Sequence, residues 1–210
     1  MLRATFTKRG LIVAALGLAI ISASAPRSGP ALAAGDPASA RIDAFYAALL
    51  DAMKNAKTLG VKGRYEKLAP VVAKTFDVAG MAKGAVGAGW DAIPAPQQAA
   101  TIEAFQRMMA ATYASRFDDF TGEKFEVSPA VDQGADKLVK TKLVQSNGKP
   151  ITLNYLMRGA DPKIADVFLD GTISELAGRR AEFTTILKSG GADALIASLK
   201  AKGDKYLAGS

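Results

Sequence analysis

The chain has 210 residues, 27 Lys and Arg against 20 Asp and Glu, 49% hydrophobic side chains, and neither cysteine nor histidine. Those two absences exclude disulfides, cysteine nucleophiles, serine–histidine–aspartate triads and the usual zinc ligand sets, leaving carboxylates, Lys, Tyr, Ser and Thr as the available catalysts. The positive excess is largely N-terminal: residues 1–33 carry Arg3, Lys8, Arg9 and Arg27 with no acid, so 23 basic side chains face 20 acidic ones beyond them, and a nucleic-acid partner is not expected.

The first 33 residues read as a secretory leader. Arg3, Lys8 and Arg9 precede an apolar run from Leu11 to Ile21, and Ala31-Leu32-Ala33 forms a small-residue cleavage site. The run is shorter than the roughly 20 residues that a spanning helix needs. The expected product begins at Ala34, is periplasmic, and consists of a single domain over 34–210. That length is ample for one hydrophobic core.

Asp36-Pro37 opens a first helix, with Asp as N-cap and Pro in the first turn. Ile42, Phe45, Leu49 and Met53 recur along it at helical spacing, and Gly60 and Gly63 are its expected end. Tyr65, Leu68, Val72 and Phe76 form a second stripe. Asp77 is placed to cap a third helix that runs through Met81 and closes near Gly87. The glycines between Gly80 and Gly89 follow no strand, so they do not read as a phosphate loop. Trp90 reads as a core or rim aromatic.

Beyond Pro94 and Pro96 comes the longest periodic stretch: Ile102, Phe105, Met109, Tyr113, Phe117 and Phe120, stopped by Gly122. The period then changes to two. Strands are expected at Phe125–Val127, Leu138–Gln145, Ile151–Arg158 and Ile164–Asp170. Asn147-Gly148 is the expected two-residue hairpin between the second and third of these, with both residues at positive φ. Ile151, Leu153, Tyr155 and Met157 share one face of the third strand. Leu176, Phe183, Ile186 and Leu187 mark another helix, Gly190-Gly191 stops it, and Asp193 caps a last one containing Leu195, Ile196 and Leu199. Helices, then an antiparallel meander, then helices again define an α+β domain.

The run from Ala165 through Asp170-Gly171-Thr172-Ile173-Ser174, followed by Arg180-Ala181-Glu182-Phe183 and Ile186 to Ile196, resembles the C-terminal signature of the MlaC or toluene-tolerance family. Phe76-Asp77-Val78-Ala79, Met81, Gly87, Trp90 and the Gln97–Tyr113 helix resemble further parts of it. The Asp-Gly-Thr-Ile-Ser-Glu-Leu segment looks closest to the hopanoid-associated HpnM branch. The resemblance implies an NTF2-like cone, in which a twisted antiparallel sheet of about four to five strands packs on helices around an apolar pocket. It implies a monomeric, non-enzymatic periplasmic carrier without a cofactor, moving phospholipid or hopanoid between inner and outer membranes. The partners it implies are an inner-membrane ABC-type transport complex and an outer-membrane lipoprotein or porin complex.

A carrier of that kind needs a large apolar cavity, because each buried methylene contributes about 0.8 kcal/mol of retention without any charged contact. The candidate lining residues are Phe105, Met108, Met109, Tyr113 and Phe117 from the long helix, and Leu143, Leu153, Tyr155, Val167 and Leu169 from the sheet. Two other readings stand beside it. One is an enzyme of the same cone using Asp166 and Tyr155, with burial raising the carboxyl pKa; strand alternation turns Asp166 away from the apolar layer and weighs against it. The other is a periplasmic protein-binding adaptor.

Overall fold

The computed structural model describes residues 36–209, so the expected leader and its cleavage site lie outside the described residues. Asp36 caps α1 (Pro37–Lys54) by accepting a hydrogen bond from the Ser39 amide at 3.0 Å. The helix ends before Gly60. Asn55 breaks it, donating back to the Asp51 carbonyl at 2.8 Å, and α2 (Ala56–Thr75) starts at once and kinks at Gly60. Asp77 caps α3 (Val78–Val86) as expected, accepting from the Gly80 amide at 3.0 Å. A 3-10 turn over Gly87–Ala92 then leads into α4 (Ala95–Arg116).

α4 closes one turn earlier than its stripe suggests, because Phe117 leaves helical geometry at φ −102° and ψ 70°. Asp118 and Asp119 follow, and carboxylates oppose the negative end of a helix dipole. Phe117 instead folds over Tyr113, with ring centroids 5.9 Å apart, while Phe120 lies beneath the Lys54 ammonium.

Six strands follow: β1 (Lys124–Val127), β2 (Val131–Gln133), β3 (Asp136–Val144), β4 (Pro150–Arg158), β5 (Lys163–Leu169) and β6 (Ile173–Ser174). They form one antiparallel sheet in the order β1-β3-β4-β5-β6, with β2 also paired to β3. β2 and β6 are additions to the four strands expected; at three and two residues, neither is long enough to show a period. The β3–β4 turn also differs from expectation. The Gly148 amide donates to the Gln145 carbonyl at 2.9 Å, the Gln145 amide donates to the Lys149 carbonyl at 3.0 Å, and Gly148, not Asn147, has positive φ. The loop therefore has three residues and a single left-handed position.

Register fixes which side chains share a face. Val139, Tyr155 and Val167 lie in one row across β3, β4 and β5, and Thr141, Leu153 and Leu169 in the next. A bulge at Leu156/Met157 shifts the far end of β5 so that fully buried Ile164 sits opposite Met157. The helices cover this face, and the core forms between them: Ile42, Phe45, Leu49, Leu68, Val72, Phe105 and Phe183 close against Val139, Tyr155 and Met157.

The C-terminal segment is α5 (Glu175–Ala208), broken at Gly191, where φ is 67° and ψ −163°. The two halves correspond to the two helices expected from Gly190-Gly191. Asp193 does not cap the second half. Its carboxylate accepts from the Gln97 side chain at 2.7 Å and so ties α5 to α4.

Candidate functional site

Between α4, the start of α5 and the helix-covered face of the sheet lies a cavity of about 420 Å³. This is within the roughly 300 to 1,000 Å³ typical of small-molecule pockets. Phe105, Met109, Thr112, Tyr113 and Arg116 contribute one helical stripe of its wall, because they recur at steps of three and four along α4. Phe117 continues that wall past the helix end. Leu143, Ile151, Leu153, Tyr155, Val167 and Leu169 supply the facing wall, all on one side of the pleat. Phe76 and Met81 close the side next to the α2–α3 junction. That junction is held to β5 by the Asp77 amide, which donates to the Ile164 carbonyl at 2.9 Å.

Nine of the ten side chains singled out in the sequence therefore surround this space. Met108 does not. It is completely buried on the opposite flank of α4, in contact with Arg179 Nη1 through its sulfur at 3.7 Å and with its backbone beside Gly203 of α5. A rotation of 100° per residue separates it from Met109, enough to move it from the cavity wall into the helix–helix seam. The sequence reading missed Phe76, Met81, Ile151 and Leu176, all apolar, and Thr112, Arg116, Gln145, Glu175 and Arg179, which are polar. Ile151 had a legible signal, lying two residues before Leu153 on the same strand face.

Apart from Thr112, Arg116, Gln145, Glu175 and Arg179 the wall is hydrocarbon and tyrosine, and the Tyr155 hydroxyl is bonded into a buried group behind it. The Tyr46 hydroxyl is 2.9 Å from that of Tyr155 and 2.6 Å from Thr141 Oγ1, which in turn donates to the Leu153 carbonyl at 2.5 Å. Burial pushes the Tyr46 phenol up to about 12, against the lowering effect of its two hydrogen bonds. Burial also raises the Tyr155 phenol well above its ordinary range, and the neighbouring tyrosines add to the shift. Tyr113 edges the void, and its phenol is raised chiefly by burial too. Groups shifted this way stay protonated and neutral at any ordinary pH. They are poor bases and suit an uncharged wall.

Asp166 and Tyr155 do not meet. Tyr155 pairs with Val167, and Asp166 pairs with Leu156 on the other face of the sheet. The Asp166 carboxylate accepts from the Val167 amide at 2.7 Å, the Ser174 hydroxyl at 2.6 Å and the Leu176 amide at 3.1 Å, and so fixes the start of α5. The Asp/Tyr arrangement considered from the sequence is thus replaced by a structural carboxylate. Among the described residues no group of three His, Cys, Asp or Glu side chains is placed to hold a metal, and no helix is long and apolar enough to cross a membrane.

Comparison with known proteins gives the same outline. A solved structure of a phospholipid-binding protein from Ralstonia solanacearum, in complex with a phospholipid, superposes with a TM-score of 0.70 at 18% identity, covering 80% of this chain and 98% of that one. No curated protein matches the sequence. The family model described as MlaC protein matches residues 43–201, from within α1 to within the second half of α5 and across every element that builds the cavity. The chain belongs to the MlaC family.

Proposed function

We propose that this protein is a lipid carrier of the bacterial periplasm, holding a phospholipid or hopanoid-type lipid by non-covalent burial and moving it between the inner and outer membranes. The observation that carries this reading is the cavity of about 420 Å³ walled by apolar side chains from α4 and the sheet. Burying about ten methylenes there would contribute on the order of 8 kcal/mol, enough for micromolar retention before the costs of association. The family assignment and the phospholipid held by the Ralstonia solanacearum protein support the choice of ligand class. The leader-like residues 1–33, ending in Ala31-Leu32-Ala33, support the compartment. In this reading the carrier receives its load from an inner-membrane ABC-type complex and exchanges it with an outer-membrane lipoprotein or porin complex.

Organic-solvent extraction of protein isolated from the periplasmic fraction, followed by mass spectrometry, tests the proposal. Lipid at close to one mole per mole is expected. Protein that carries no lipid, and takes up none from vesicles, would refute it.

A further inference from the structure

Tyr113 stands on the cavity-facing stripe of α4, about one turn before Arg116, the last residue of the helix. Three aromatic neighbours hold its ring. It meets Phe45 of α1 edge-on at 5.2 Å, Phe76 at the end of α2 at 5.7 Å, and Phe117, stacked on it, at 5.9 Å. Its hydroxyl differs from the other two in the wall. The Tyr155 hydroxyl is bonded to that of Tyr46, and the Thr112 hydroxyl donates to the Met108 carbonyl at 2.8 Å. The Tyr113 hydroxyl has no hydrogen-bond partner among the described residues. Nor is it sealed in the core: the buried side-chain nitrogen and oxygen atoms left without a partner there are Arg41 Nε and Asn154 Oδ1. The Tyr113 oxygen is therefore both unpaired and open, and the space that Tyr113 lines is the cavity. We infer that the Tyr113 hydroxyl is a hydrogen-bond donor to the cargo, placed to meet the carbonyl oxygen of an acyl ester whose hydrocarbon chain occupies the apolar wall. The inference rests on the lipid-carrier reading and narrows it to acyl-ester lipids over ether-linked or hydrocarbon-only ones.

The chemistry of the donor selects this acceptor. A tyrosine hydroxyl shut away from bulk water normally finds a partner, because an unmade hydrogen bond in an apolar space costs more than a made one contributes. The unpaired Tyr113 donor is thus a cost to the empty protein that a suitable ligand removes. Burial raises its phenol above the ordinary range, so the proton is present at any ordinary pH and the group acts as a donor and not as a base. A carbonyl oxygen brings lone pairs and no proton, so a single bond satisfies both partners. A ligand hydroxyl would bring a second donor, and a pair of hydroxyls sharing one bond leaves one proton without an acceptor. Position agrees with the ester. In an acyl lipid the ester adjoins the chain, so it is the acceptor that travels furthest in with the hydrocarbon, and Tyr113 lies inward of Arg116 along α4 toward Met109 and Phe105. The three ring contacts fix the direction of the donor before the ligand arrives, which keeps the ordering cost of the bond low.

The test is calorimetric titration of the purified, delipidated protein with two probes below their micelle concentrations: a monoacylglycerol and the alkylglycerol ether of the same chain length. The ester should bind about three- to ten-fold tighter, the range expected of one neutral hydrogen bond. Tyr113→Phe keeps the ring and should abolish or reverse that preference by weakening the ester. It should also melt no earlier than the parent protein, because no protein partner of the hydroxyl is lost. Infrared spectra of the bound ester with an isotope-labelled carbonyl give a readout that needs no variant: the carbonyl band of the complex should lie below that of the same ester in alkane. Equal affinities for the two probes in the unmodified protein, or an unshifted carbonyl band, overturn the contact. A preference that survives Tyr113→Phe and disappears in Gln145→Ala also overturns it, by assigning the donor to the Gln145 amide elsewhere in the wall. Earlier melting of Tyr113→Phe with the preference intact would show that the hydroxyl serves the fold. Failure of both probes to bind would instead remove the carrier reading on which the contact depends.

Discussion

Met108 and Met109 are neighbours in the chain with different surroundings: Met108 is fully buried in the seam with α5, and Met109, 8% exposed, faces the cavity. Substituting Trp at each position separates packing from binding. A filled core resists added volume, with overpacking costing about 1 to 3 kcal/mol, whereas a void accepts it with less strain. Met108→Trp should therefore lower the unfolding free energy by an amount in that range, seen as a lower denaturant midpoint at unchanged slope. Met109→Trp should leave the midpoint near that of the parent protein while clearly reducing the lipid recovered per mole. Unfolding curves and lipid quantification on the same preparations decide the matter; if Met109→Trp unfolds early with its lipid load intact, α4 packs solidly here and the cavity is not a binding space. The sequence places both methionines near one helical stripe, and hydropathy cannot distinguish them because both neighbourhoods are apolar. What separates them is what packs on each flank of α4, and that depends on α5, whose Arg179 lies 71 residues further along the chain than Met108. The polar part of the cavity wall was illegible for a related reason. Arg116, Gln145 and Arg179 look like ordinary solvated residues at element ends, and only folding brings those ends together.

Local chemistry was most readable where one residue dictates the backbone around it. Asp36 and Asp77 cap the helices expected of them because each side chain reaches an amide three residues ahead. The errors arose where tertiary contacts overrule a local pattern: α4 stops at Arg116 so that Phe117 can cover Tyr113, and β2 and β6 exist only as short partners of longer strands. The β3–β4 hairpin lies between these cases. Asn147-Gly148 identified the turn, yet only Gly148 is left-handed, at φ 79°. A β-branched side chain there meets the steric penalty that glycine escapes. Gly148→Val should destabilise the protein by about 1 kcal/mol or more, and Asn147→Val by distinctly less. Neither Asn147 nor Gly148 lines the cavity, so lipid content at a given folded fraction should not change. Equal losses of stability in the two variants would show that the loop carries two left-handed residues in solution.

On the scale of the whole molecule, one sheet face is shared between solid core and cavity, and buried tyrosines mark the boundary. Val139 and Thr141 of β3 stand outside the cavity wall, where the Tyr46 hydroxyl of α1 reaches Thr141 and Tyr155, while Leu153 and Tyr155 of β4 and Val167 and Leu169 of β5 line the void. The alternation in β4 made this face visible in the sequence, but no pattern records whether the space above a face is filled, since that is set by the height at which α4 crosses. The tyrosines make the arrangement measurable. An unfolded phenol titrates near 10. In the native protein the Tyr46 phenol is pushed up to about 12 by burial, and those of Tyr113 and Tyr155 are raised as well. Above pH 10 the unfolded state thus holds fewer protons than the native state. The stabilising contribution is full below pH 10 and is lost as pH rises from there through the folded values, each phenol weakening the fold by up to about 1.4 kcal/mol per pH unit in that window. Denaturant midpoints should accordingly be flat up to about pH 9.5 with respect to these groups and then fall steeply. Ultraviolet absorbance in native buffer at pH 11 should show fewer phenolates than the full complement of five tyrosines in denaturant. Tyr46→Phe should make the decline shallower, because one of the shifted phenols is gone, although it also removes a hydrogen-bond partner of Tyr155 and Thr141 and so lowers stability at neutral pH. If the phenolate titration is the same in native buffer and in denaturant, Tyr46, Tyr113 and Tyr155 are reached by water, and the wall between core and cavity is not the dry, hydroxyl-stitched layer described above.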